Sequence, residues 1–507
     1  MSPDLNFSWV AALAPEIMLA VLLFSLQVYD RVAKPKDRSR LGLFTAWGAG
    51  IILLVTFGLW YLGNEPNGQA GLIETLIWGG MIRHDLITLV FRVMFLIALT
   101  ITSLISMDVP RLQKVEYYAL LITATMGFSL MGASADLIMI YISLEMASIS
   151  SYVLAGFLKT SDRSTEAGIK YFVYGAFATG IMLYGMSLVY GITGHTNIYI
   201  IGSFFQAGIV ASPIADAVGQ NAVLLLAAVM IIVGFGFKIS AVPFHFWTPD
   251  VYEGAPTPFT GFVSTASKAA GFAIFIRVFT AGVFGAPSDG SAWWAMLVAM
   301  CIITMTLGNF AAIFQNNIKR LLAYSSIAQA GYALIGLITM TPDGSGATMF
   351  YLLMYVFTNV AAFGVIILIS NVSQSDQLED LNGLNRRSPY LALVMMLALL
   401  SLGGIPPTAG FVGKFLIFRA AVDAGYWWLA LIGILNAFVA LYYYLSVIKH
   451  MYLYRSDDED IKIPVSRAAA VGLAVSVIFI ILLGSFYANP AFAWTREAAT
   501  AFYALVS

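Results

Sequence analysis

Four ionisable residues of this chain lie where lipid is expected to surround them. Glu145, Lys238, Lys268 and Lys414 each fall well inside a long apolar run. Lys170 stands near the start of another run, and His245 follows a proline-interrupted one. A charge at the centre of a membrane helix costs about 2.5–3.5 kcal/mol on insertion scales. Residues kept there have either a partner or a task. A lysine in water holds its proton to about pH 10.4, too firmly for a relay at neutral pH. Burial loosens that hold, and a nearby carboxylate restores it. A lysine facing a glutamate therefore switches between charged and neutral forms as the carboxylate approaches or is compensated elsewhere. A chain of such sites, bridged by hydroxyls and water, passes protons. Ser240, Ser264, Thr265, Ser267 and Thr408 lie close in sequence to the lysines and are the expected bridges. Lysine offers no oxygen to a metal cation, which favours the proton over sodium as the carried ion.

Structural readings compete. Arg92 and Arg277, also inside apolar runs, are expected to pair with a neighbour or to snorkel. His245, beside Trp247 near a helix end, is open between a structural histidine and a proton carrier. Lys170 is open between an interfacial residue and a relay. One lysine with one glutamate would suit a structural ion pair. Lys268 and Lys414 have no evident acidic partner, and that weights the set toward function.

The elements that position these residues are membrane spans. The chain has 507 residues, 60% hydrophobic and 10% charged, with a net charge of −1. Soluble domains are about 25% charged. The charge balance argues against a nucleic-acid partner. The one cysteine, Cys301, cannot build a disulfide, a zinc site or an iron–sulfur cluster within the chain. Any redox cofactor is expected on another chain. The first apolar run follows Asp4 and no basic residue, so it reads as a retained helix and not a signal peptide.

Runs long enough to span a bilayer, about 20 residues each, fall at about 10–28, 41–63, 86–107, 117–134, 136–157, 169–193, 222–247, 257–284, 293–315, 321–340, 347–370, 390–418, 427–448 and 468–487. The fold expected is an all-α polytopic membrane protein of about fourteen spans. Continuous runs exclude the alternating pattern of a β-barrel, and no strand is expected anywhere. Basic residues collect in the odd-numbered loops, among them Lys36, Arg111, Lys114, Lys159, Arg163, Lys319, Arg320, Arg386, Arg387, Lys449 and Arg467. The even loops hold little beyond Arg83 and Arg419. The odd loops are therefore placed in the cytoplasm and both termini on the outer, periplasmic side.

Spans 7 and 12 are interrupted. The first reads Gly234-Phe-Gly236-Phe-Lys238-Ile-Ser-Ala-Val-Pro243 and the second Gly403-Gly404-Ile-Pro406-Pro407-Thr-Ala-Gly410. Proline removes a backbone hydrogen bond, and lipid tolerates a broken helix only where protein or a cavity covers it. The breaks lie five spans apart. Five is odd, so spans 4–8 and 9–13 form two five-helix repeats of inverted orientation, a pattern of transport pathways. The corresponding segments are 1–114, 115–284, 285–450 and 451–507. The proline-rich stretch from His245 to Pro258 is expected to form a rigid cytoplasmic cap that is not helical.

Three stretches carry a family resemblance. They are Phe237-Lys238 through His245-Phe-Trp247-Thr-Pro249-Asp250-Val-Tyr252-Glu253-Gly254 to Pro258, Lys319-Arg320 through Tyr324-Ser325-Ser326 and Gln329 to Tyr332, and Gly404-Ile-Pro406-Pro407 through Gly413-Lys414-Phe415. Together with Ser143-Leu-Glu145 through Ser148 and Tyr152, and Glu166 through Lys170-Tyr171, they resemble the antiporter-like membrane subunits of respiratory complex I, the proton-pumping NADH–quinone oxidoreductase. The resemblance runs from about span 4 to span 13. It implies a role for each matching position. Glu145 tunes its partner, Lys238 takes the proton, Lys268 connects the halves and Lys414 serves the second half-channel. Lys170 and His245 fall on family positions along the same axis. One sister branch has a glutamate where Lys414 stands, and another carries a long lateral helix after span 14. The resemblance also implies a bacterial inner membrane, other membrane subunits and lipids as partners, and NADH, FMN, iron–sulfur clusters and quinone on other subunits. A subunit of a multi-subunit cation/proton antiporter, a ferredoxin-fed relative and a purely structural scaffold are the alternatives.

Overall fold

A backbone in lipid has no solvent to bond, so long apolar runs satisfy their own amides as helices. A computed structural model describes residues 10, 12–35, 37–63, 75–206, 220–284, 291–456 and 461–506. Asp4 and Lys36 lie outside the described residues. Among the described residues, ten helices are long and apolar enough to cross a membrane.

The first six helices are α1 (Ala14–Ala33), α2 (Arg40–Gly63), α3 (Leu86–Ser106), α4 (Val115–Ala133), α5 (Leu137–Ala155) and α6 (Asp162–Thr193). The seventh expected span is α7 (Gln220–Ile239), which stops at the break. There follow α8 (Trp247–Gly254), α9 (Thr257–Phe262), a π-helical turn (Val263–Ser267) and α10 (Lys268–Thr280). Then come α11 (Ala292–Ile313), α12 (Ile318–Ile338) and α13 (Pro342–Ser373). The twelfth expected span is two half-helices, α14 (Pro389–Gly403) and α15 (Ala409–Asp423). The last helices are α16 (Trp427–Tyr452), α17 (Arg467–Leu482) and α18 (Ala488–Val506).

Two expectations are corrected. Thr75–Ile77 and Ile82–His84 pair as an antiparallel hairpin, so the chain is not strandless. Residues 78–80 all have positive φ there, which closes the turn. The stretch after His245 is not an irregular cap but α8 and α9. Pro249 is the third residue of α8 and Pro258 the second of α9. Amides of a first turn have no intrahelical acceptor, so proline costs little at those positions.

Helices α3, α12, α13 and the continuous α9–α10 segment are buried almost throughout, whereas α2, α6 and α16 present much of their surface outward. The loops after spans 3, 5, 9, 11 and 13 meet in one cleft of about 870 Å³, lined by Arg111, Arg163, Lys319, Asp376 and Ser466. They therefore share one end of the bundle, as the alternation of basic loops requires. Asp343 and Ser373 bracket α13, so they stand about 45 Å apart at opposite ends.

Arg92 and Arg277 are paired, as expected. Arg92 forks onto Glu16 with both bonds at 2.9 Å and also reaches the Ala12 carbonyl. Glu16 accepts from Ser129 as well. Arg277 forks onto Asp85 at 2.9 and 2.6 Å and donates to the Gly132 carbonyl at 2.7 Å. Burial pushes the Asp85 carboxyl up, but Arg277 and the Thr88 amide outweigh it and hold it below the ordinary range. Burial, with Arg92 alongside, pulls His84 down to about 3, so it stays neutral. Removing one partner of a buried pair strands the other charge and costs about 3–5 kcal/mol. Arg277→Leu should lower the melting temperature of the purified protein accordingly. The double variant Asp85→Leu/Arg277→Leu should recover much of that loss.

Candidate proton path

Lys238 sits in the last turn of α7 and is buried. The helix ends because Ser240 adopts φ +63°, where a residue with a side chain is strained. Lys238 Nζ donates to Ser148 Oγ at 3.0 Å and lies 5.2 Å from the Phe128 ring centre. Its stem passes Gly271 on α10. A Cβ there would stand 2.5 Å from Ile239 Cγ2 and 3.4 Å from Lys238 Cγ, so glycine permits the approach. Lys268 lies one turn earlier on α10, on the same side.

Lys268 is buried in the centre of the bundle, immediately after the π-helical turn. Its ammonium donates to the carbonyl and the hydroxyl of Ser326 on α12. The neighbouring Ser325 bonds Tyr444, and Gln329 donates to Tyr444 at 2.9 Å and to the Leu402 carbonyl at 3.1 Å. Lys414 Nζ donates to that same Leu402 carbonyl at 2.8 Å and to Gly403 O at 3.2 Å. Two sets of hydrogen bonds thus approach each other: Lys268 on Ser326, and Lys414 with Gln329 and Tyr444 around the Leu402 carbonyl, with the Ser325–Ser326 backbone between them.

Lys414 is on α15, but its acceptors are the last carbonyls of α14. Those carbonyls are left open by the break and carry the negative end of the helix dipole. Gly404 makes the arrangement possible. It caps α14 at φ +83°, and a Cβ there would stand 3.0 Å from Lys414 Cδ. Lys414 also lies 4.6 Å over the Tyr332 ring, whose hydroxyl accepts from Asn309 at 2.9 Å. Among the described residues, no carboxylate comes within 4.0 Å of Lys238, Lys268 or Lys414.

Three further expected site residues do not bond the buried lysines. Glu145 is half-buried and not enclosed. It shares an outward stripe of α5 with Ile138, Ile142 and Ile149, which are exposed. One of its carboxyl oxygens is buried without a hydrogen-bond partner. Depth along a helix does not give rotation about it, so Ser148, and not Glu145, is the direct partner of Lys238. Lys170 is half-exposed and joins none of the buried lysines. It pairs with Asp250 at 2.6 Å and Glu166 at 2.7 Å. Asp250 also accepts from Arg320 at 2.8 Å, and Arg320 reaches Glu253 at 3.0 Å. Burial pushes the Asp250 carboxyl up, but the bonds from Lys170 and Arg320 outweigh it and hold it below the usual carboxylate range. His245 is buried in the break between α7 and α8, with Nδ1 unpartnered.

None of the hydroxyls nearest in sequence bonds a buried lysine directly, and Ser264 accepts from Asn359 on α13. Ser240 is buried without a partner, Thr265 bonds back to its own helix, and Thr408 bonds Ile405 O. The working partners, Ser148, Ser326, Gln329 and Tyr444, come from other helices. Gln329, polar and in mid-span, is the one that sequence alone could have flagged. Among the described residues, no group of three or more metal-ligating side chains converges.

The family model for the transmembrane NADH:quinone oxidoreductase/Mrp antiporter subunits matches residues 134–440. The NADH-quinone oxidoreductase subunit N of Moorella thermoacetica is 42% identical over 97% of this chain and 98% of its own length. A chain of respiratory complex I from Thermus thermophilus superposes with a TM-score of 0.76 at 30% identity, covering 94% of this chain and 98% of that one. A chain of the Mrp complex from a Dietzia species shares the fold, with a TM-score of 0.79 at 21% identity over 97% and 98% of the two chains.

The Ser326 hydroxyl is the side-chain acceptor of the Lys268 ammonium and stands next to Ser325, which bonds Tyr444. Losing one hydrogen bond to a charged group costs about 1.5–3 kcal/mol, or about tenfold and more in a step that uses it. Ser326→Ala should slow proton transfer in reconstituted vesicles by about that factor while leaving the protein folded. Proton transfer at the parental rate would remove Ser326 from the path.

Proposed function

The chain belongs to the NADH:quinone oxidoreductase/Mrp antiporter membrane family, and from that premise we infer that it is a proton-translocating membrane-arm subunit of an NADH–quinone oxidoreductase, of the subunit N type. One observation carries the residue assignment: Lys268 and Lys414 are both buried, lack an acidic partner among the described residues, and belong to two sets of hydrogen bonds that approach each other at Ser325 and Ser326. Structural cations in the same protein look different. Arg92 and Arg277 are each forked onto a carboxylate.

In this reading Lys238 takes a proton through the Ser148 region, Lys268 receives it at the centre, and Lys414 passes it on in the second half. Glu145, on the outward stripe of α5, tunes Lys238 from one side. His245 and Lys170 stand at the edge of the path near the break in α7. Spans 4–8 and 9–13 act as inverted five-helix repeats around segments 1–114 and 451–507. NADH, FMN, iron–sulfur clusters and quinone belong to other subunits, a reading supported by the single cysteine, which cannot hold a cluster. The protein resides in a bacterial inner membrane with both termini on the outer side, because the loops that share one cleft carry the basic residues. An antiporter subunit with no redox partner is the weaker reading, because the solved Mrp chain is 21% identical whereas the subunit N relative is 42% identical over nearly the full length.

Lys238→Ala and Glu145→Ala in the assembled complex should each lower the protons translocated per NADH oxidised, with the subunit still incorporated. Unimpaired pumping in both variants would overturn the assignment.

A further inference from the structure

The half-helix that carries Lys238 ends one residue later, at Ile239. The last carbonyls of a helix need outside donors, or the end frays. The Phe237 carbonyl, next to Lys238, accepts from the Ser240 amide at 3.1 Å and from Trp247 Nε1 at 3.1 Å. Trp247 is the first residue of α8. Three residues on, Asp250 shares its carboxylate between Lys170 on α6 and Arg320 on α12. Tyr171, adjacent to Lys170, stacks on Trp247 with centroids 4.4 Å apart and planes 13° from parallel. Helix α6 therefore grips α8 at two consecutive residues, once by charge and once by ring stacking. Partly exposed ion pairs contribute about 0–1 kcal/mol each. A five-charge cluster of Glu166, Lys170, Asp250, Glu253 and Arg320 across three helices is better explained by placement than by stability.

We propose that Trp247 is a positioning residue that couples this ion cluster to Lys238. Asp250 fixes α8 between α6 and α12, α8 aims the indole N–H, and the indole holds the end of α7 so that Lys238 meets Ser148. A change in the charges around Asp250 moves α8 and withdraws the indole, and Lys238 loses its alignment. The cluster thus acts on proton uptake without passing the proton. This rests on the assignment of Lys238 to the proton path.

The test uses the assembled complex in sealed membrane vesicles and reads protons translocated per NADH oxidised. Trp247→Phe keeps the stacked ring and loses the donor. Asp250→Asn loses the charge and keeps the shape. Each should lower the ratio about two- to tenfold, the range for one lost hydrogen bond. Asp250→Glu should restore it, and the double variant should be no worse than the more impaired single one, because both act through one element. Parental ratios in Trp247→Phe and Asp250→Asn, no rescue by Asp250→Glu, or additive losses would each overturn the proposal. Should Trp247→Phe fail to assemble, the Asp250→Asn and Asp250→Glu pair decides by itself. Loss of pumping in Lys238→Ala alongside parental Trp247→Phe and Asp250→Asn would sink this inference alone. Parental pumping in Lys238→Ala would instead sink the function assignment.

Discussion

Lipid offers neither a donor to an open carbonyl nor an acceptor to a bare ammonium, and the core of this protein is built around meeting both needs together. Each broken helix exposes carbonyls, and each buried lysine needs acceptors. Lys414 answers the open end of α14 directly. Lys268 bonds a backbone carbonyl of α12 beside the Ser326 hydroxyl. At the end of α7, Trp247 serves the carbonyl and Ser148 serves Lys238. Backbone irregularity and buried charge are thus complementary halves of one arrangement.

That arrangement also separates cations forked onto carboxylates from cations held by neutral groups. A guanidinium forked onto a carboxylate stays charged, and losing its proton would strand a buried anion. Arg92 and Arg277 are of this kind, and they tie α1, α3, α4 and the hairpin to α10. An ammonium held by neutral acceptors strands nothing when its proton leaves. Lys268 and Lys414 are of that second kind, and Lys238 bonds the neutral Ser148.

The surrounding helices keep this core apart from the bilayer. The α9–α10 segment and α13 are fully buried and α12 nearly so. Glycines at 271 and 404 bring Lys238 and Lys414 against backbone that any larger residue would displace. The short helix α8 touches both the ion cluster, through Asp250 and Glu253, and the Lys238 end of α7, through Trp247.

Much of this was legible in the sequence. Apolar runs marked the spans, because a bilayer demands about twenty residues of uniform character. The breaks at Ser240 and Gly404 were marked by nearby proline and glycine, and buried lysines declared themselves by their cost. Charge alternation along the loops marked which loops share an end. What tertiary structure decided was partnership. Ser148 lies 90 residues from Lys238 and Ser326 lies 58 residues from Lys268, so no local window contained them. Glu145 turned outward, Lys170 joined a peripheral cluster, and the proline-rich stretch after His245 became helical. Hydropathy reports the environment of a segment averaged over whole turns, whereas a hydrogen bond depends on the rotation of each helix about its own axis. Only the packing of all the helices together sets that rotation.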